Sequence, residues 1–85
     1  MKIPRPGTPV CIVWQDAQFA DSWFYGSDTP DFESVDHVTY GVIKGVDKNT
    51  VVVCQTIAAE AGKVIGWLGH MAIPRGCIRR VDKIA

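Results

Sequence analysis

The chain has 85 residues, enough for one domain with a thin core, a size at which oligomerisation commonly adds buried area. Apolar residues make up 47% of it and charged residues 21%, an ordinary globular balance that argues against a disordered or a fibrous protein. Nine basic and nine acidic residues cancel, so net charge advertises neither a nucleic-acid nor a membrane partner.

The charges are nevertheless segregated. Residues 1–42 carry two basic and six acidic side chains, a net of −4, and residues 43–85 carry seven basic and three acidic ones, a net of +4. No apolar run approaches the roughly 20 residues that span a bilayer, and the N-terminus lacks the apolar stretch of a signal peptide, so the expected location is the cytoplasm. Cys11, Cys54 and Cys77 form no C-x-x-C pair and each lies in an apolar segment. They read as reduced core residues rather than redox or metal groups.

In chain order, residues 1–9 hold Pro4, Pro6, Gly7 and Pro9 and read as an extended lead-in. Val10–Trp14 is the first expected strand, apolar on both faces, with Val10, Ile12 and Trp14 on one side and Cys11 and Val13 on the other. Residues 15–37 contain no Lys or Arg and form a long excursion. Loops beyond about 12–15 residues in compact domains are usually functional or disordered. Phe19, Trp23, Phe24, Tyr25 and Phe32 argue for order, packed across the barrel or onto a partner.

Val38–Val46 and Thr50–Ile57 then form a hairpin, with Asn49 expected to supply a left-handed residue in the turn. Gly41 and Gly45 inside the first of these strands mark a bend, a bulge or a close backbone approach. Residues 57–63 read as a small-residue connection able to hold one helical turn, ended by Gly62. Val64–Ile73 is the next strand, Ile73-Pro74-Arg75-Gly76 a tight turn, and Cys77–Ile84 a short last strand. The expected core is Val10, Ile12, Val42, Val51, Val53, Ile65, Ile73 and Ile78, a list that depends on register because a one-residue slip reverses a strand's faces.

This order of elements is that of a small five-stranded SH3-like or Sm-like β-barrel, all-β, with a long loop after its first strand and the whole chain as one domain. Val13-Trp14-Gln15-Asp16-Ala17, Ser22-Trp23, Tyr40-Gly41-Val42-Ile43 and Ile73-Pro74-Arg75-Gly76-Cys77-Ile78 together resemble a family of small uncharacterised proteins of tailed bacteriophages and prophages, one of which is similar to an Sm-like oligomeric ring. The resemblance runs from Val10 to Ile84. It implies a homo-oligomeric small barrel of phage or mobile-element origin, working in the cytoplasm of the bacterial host, and brings no catalytic residues with it.

Candidate sites follow from residue type. Trp14 and Trp23 could stack a nucleobase, worth roughly 1–3 kcal/mol per base, although such residues more often cover the end of a core. Asp16 suits a turn better than a ligand site. Asp28, Asp31, Glu33 and Asp36 lack the spacing of a calcium loop and read as a solvated or subunit-pairing acidic face. His37 and His70 have no Cys or His at zinc-ligand spacing, so no metal and no cofactor is expected. Arg75, Arg79 and Arg80, with Lys83 beyond them, are the local basic density. They would either contact phosphates or pair with the acidic loop of a neighbouring subunit.

The resulting expectation is a non-enzymatic, homo-oligomeric binding or assembly module, without a membrane partner. Two alternatives stand beside it: an Sm-like nucleic-acid binder using the basic rim, and a sponge that sequesters a small nucleotide ligand between subunits.

Overall fold

The computed structural model describes residues 1–18, 23–29, 31–32 and 35–84. Five strands follow one another: β1 (Pro9–Trp14), β2 (His37–Val46), β3 (Thr50–Glu60), β4 (Lys63–Pro74) and β5 (Ile78–Lys83), with a 3-10 turn at Arg75–Cys77 before the last. They make one antiparallel sheet in the order β4-β3-β2-β1-β5. β4 and β5 stand at its two edges without pairing, so the sheet is open rather than closed into a barrel. Among the described residues no helix is long and apolar enough to cross a membrane.

Register explains the core. Val10 pairs with Gly41 on one side and Lys83 on the other, and Ile12 with Thr39 and Val81, so alternation puts Val10 and Ile12 on one face of the central strand. Both are fully buried with Ile43, Val51, Val53, Ile73 and Ile78, and the half-buried Ile3, Trp14 and Val81 pack against them. Each such buried aliphatic side chain stabilises the fold by about 1.5–3 kcal/mol. The proline-rich lead-in is tied to this layer, since Gly7 N–H donates to the Ile43 carbonyl at 2.8 Å and Ile43 N–H to that of Thr8 at 3.0 Å.

Two of the expected core residues are displaced. Gly41 shares a face with Val10, so Ile43 turns inward and Val42 turns to the opposite face, where it pairs with Cys54. Lys44 is the extra residue of a bulge, after which Gly45 resumes the pairing with Val52. Ile65 is likewise the extra residue of a bulge in β4, far out on the hairpin, and is 64% exposed. Cys54 is buried instead, while Cys11 and Cys77 are half-buried, and all three thiols are free.

Residues 57–63 are not a helical connection. β3 continues to Glu60, and β4 begins at Lys63 after the two-residue turn Ala61-Gly62, whose φ values of 51° and 78° are those of a type I′ hairpin. Ala61 is the one described non-glycine residue with positive φ, so Asn49 in the β2–β3 turn is not left-handed. Asp47 does that work: its Oδ1 accepts the N–H groups of Asn49 and Thr50, each at 2.7 Å.

The aromatic excursion also differs from expectation. Trp23 is 86% exposed, and Phe24, Tyr25 and Phe32 are exposed too, so within one chain these rings cover no core; Phe19 lies outside the described residues.

Candidate functional site

The four cations of the expected rim have separate fates. Arg75 is half-buried and structural: its backbone N–H donates to Asn49 O at 2.8 Å, and its guanidinium donates to the carbonyls of Asp47 (3.2 Å) and Met1 (3.0 Å). It staples the β2–β3 turn and the N-terminus to the end of β4. Arg79, the bulged residue of β5, donates to Gln15 Oε1 at 3.1 Å, and the Gln15 amide donates in turn to Asp36 Oδ1 at 3.1 Å. The basic strand and one residue of the acidic loop are therefore bridged within the chain. Arg80 holds Asp82 at 2.7 Å in a surface ion pair, an arrangement worth at most about 1 kcal/mol.

Lys83 lies elsewhere. It lines a cleft of about 460 Å³ with Lys2, Ile3, Pro4, Arg5, Thr8 and Val81. Three cations share this cleft, and among the described residues none of them has a carboxylate within ion-pair distance. Lys2 and Arg5 were not legible as partners of Lys83, being some 80 residues away in sequence. The available signal was Ile3, the single large aliphatic residue of the lead-in, which packs on the core and brings its basic neighbours to the β5 edge.

Trp14 covers the end of the core. Its indole N–H donates to Thr39 Oγ1 at 3.0 Å and its ring leans on His37, with centroids 4.8 Å apart. Trp23 is open to solvent, and the structure does not bring the two tryptophans together as a platform. Asp16 accepts the N–H of Ala17 at 2.8 Å, a local turn contact. Asp28 and Asp31 are exposed, and Glu33 lies outside the described residues. Among the described residues no three His, Cys, Asp or Glu side chains gather to hold a metal ion.

A second cleft marks where the sheet forks. β2 pairs with β3 no further than Val42↔Cys54, leaving His37–Gly41 without β3, while β3 and β4 continue together to Glu60 and Lys63 as a two-stranded arm. The fork opens a cleft of about 400 Å³ lined by Thr39, Tyr40, Cys54, Gln55, His70 and Met71 among others. Its cause is local. Gly69 takes φ +79°, where a Cβ would lie 3.0 Å from the Gln55 side chain, and the Cys54 thiol reaches the carbonyls of Thr56 (3.0 Å) and Leu68 (2.9 Å) inside the bend. Lys44 of β2 sits over the Trp67 ring of the arm, 4.6 Å from its centroid, a cation–π contact. Tyr40 at 69%, Leu68 at 70% and Ile65 at 64% exposure leave the fork and arm with large apolar side chains in solvent.

No family model, no curated protein and no solved structure matches this chain.

Proposed function

We propose that this all-β chain is a non-enzymatic binding or assembly module that works as a homo-oligomer. One observation carries the reading: an open sheet whose edges are unpaired and whose fork and arm expose Tyr40, Ile65 and Leu68. Unpaired edges and large exposed apolar side chains are what a second chain can cover in water. The element order and the 3-10 turn before β5 support an SH3-like or Sm-like barrel completed in the assembly. The phage or mobile-element origin rests on the resemblance of the Val10–Ile84 motifs, and the bacterial cytoplasm goes with it. Sedimentation velocity tests the assembly: a species larger than the 9.3 kDa chain at micromolar concentration supports it, and a monomer throughout overturns it.

A second reading, nucleic-acid binding, is favoured by the cleft that gathers Lys2, Arg5 and Lys83, none of them paired with a carboxylate among the described residues. Arg75 is consumed by backbone carbonyls, so the phosphate-binding surface moves from the expected rim to this cleft. Anisotropy titrations with a single-stranded oligonucleotide test it. Changing the three cations to Ala weakens binding and lowers the log–log salt slope by about two, because fewer counterions are released. A parent protein with no salt-dependent affinity overturns this reading and leaves assembly standing. The same cleft would serve the nucleotide sponge, whose mark is a rise in Tm on adding a mononucleotide.

A further inference from the structure

We infer that two copies of the chain assemble by exchanging arms, the β3 edge of each arm pairing with the open β2 edge of the other copy. The inference rests on the self-assembly reading above and names the surface that carries it.

Some backbone groups of β2 and β3 lack a ladder at the fork. Ile43 exchanges hydrogen bonds with Gly7 and Thr8 on the β1 side, so in the continuous β1–β2 register Gly41, Thr39 and His37 also face β1. Val38 and Tyr40 therefore aim their N–H and C=O groups at the fork, where the pairing assigns them no strand. On the other bank, Cys54 faces Val42, and alternation turns Thr56 and Ala58 toward the same fork. The two banks are edges of matching length and parity that begin at the same pair, Val42↔Cys54. The bend at Gly69 keeps them apart within one chain. Pairing between copies joins what the bend separates, and a two-fold axis satisfies both forks at once.

Three further observations favour a second copy as the occupant. A two-stranded ribbon is marginal alone in water, and the exchange gives each arm a third strand. The chain exposes 6523 Å², about 1,500 Å² more than the roughly 5,000 Å² expected for a compact monomer of this mass. That excess exceeds the roughly 800 Å² each partner contributes to a standard interface. Finally, pairing in the continued register sets Tyr40 beside Thr56 and Leu68 of the second copy on one face, gathering the most exposed apolar side chains of both banks.

Proline substitution reads the ladder directly. Val38 and Ala58 direct their N–H groups at the fork, so Val38→Pro and Ala58→Pro each remove a donor of the proposed interface while sparing the ladders to β1 and β4. Ala72→Pro strips an outward N–H from the β4 edge and is the control. Sedimentation equilibrium should show the dimer dissociation constant rising about a hundredfold in the first two variants and unchanged in the control. As a measurement independent of proline strain, Thr39→Cys and Ile57→Cys proteins are mixed and mildly oxidised, and peptide mass mapping should find the two introduced thiols joined. A parent that is monomeric overturns self-assembly altogether. A parent dimer that keeps its affinity in both proline variants, yields no such cross-link, or dissociates only with Ala72→Pro overturns arm exchange and leaves self-assembly intact.

Discussion

Asp47 and Ala61 set the two turns by opposite means. Asp47 accepts two backbone N–H groups and closes the β2–β3 turn, with its own N–H donating to Thr50 O at 3.0 Å. Asp47→Ala leaves those donors to water and should lower the unfolding free energy by about 1 kcal/mol in urea titration. Ala61 instead stands at φ 51° with no side-chain compensation, a conformation that Asn and Gly adopt at lower cost. Ala61→Asn should therefore raise stability by about 0.5–1 kcal/mol, and an unchanged midpoint would mean that the turn does not hold this geometry in solution. Residue chemistry also explains what was legible in the candidate sites. Trp14 was readable as a core cover because a bulky ring ending an apolar strand has little else to do. Arg75 was readable as basic but not as a staple, since its acceptors are the carbonyls of Met1 and Asp47, and carbonyls carry no sequence signature.

At the scale of elements, β1, β2 and β5 were legible almost to the residue, because Pro9, Gly76 and the β-branched runs punctuate them. The β3–β4 hairpin was not, for a physical reason. Ala58 and Ala59 have helical propensity, and only pairing with Gly66 and Val64 makes them part of a strand; tertiary contact overrides local preference. Gly41 and Gly45 were readable as irregularities, and each is one. At Gly41 a Cβ would lie 3.0 Å from the Cys54 carbonyl, Gly45 ends the β2 bulge, and Gly69 turns the arm. Gly69→Ala meets both a left-handed φ and the Gln55 side chain, and should cost about 1–2 kcal/mol. Adding Gln55→Ala removes the contact but not the φ strain, so the double variant should recover only part of the loss. Full recovery would mean that the bend is steric and not conformational.

For the whole molecule, the open sheet and the arm produce an extended particle of 62 × 22 × 21 Å with a radius of gyration of 16.7 Å, against about 12 Å for a compact chain of this length. Elongation and exposed apolar area go together, since a single copy leaves Tyr40, Ile65 and Leu68 of the fork and arm, and Trp23 and Tyr25 of the excursion, in solvent. A further layer of chain over the fork would make stability depend on concentration, because it would bind the folded state and not the unfolded one. If the second copy supplies that layer, Tm should rise steadily as protein concentration is raised over a hundredfold range, and it should rise much less in Val38→Pro and Ala58→Pro. Scanning calorimetry at several concentrations measures this directly. A Tm that stays flat for the parent chain would mean that one copy closes its own sheet in solution, with β3 pairing onto residues 37–41 of the same chain, and the excess surface would disappear without any partner.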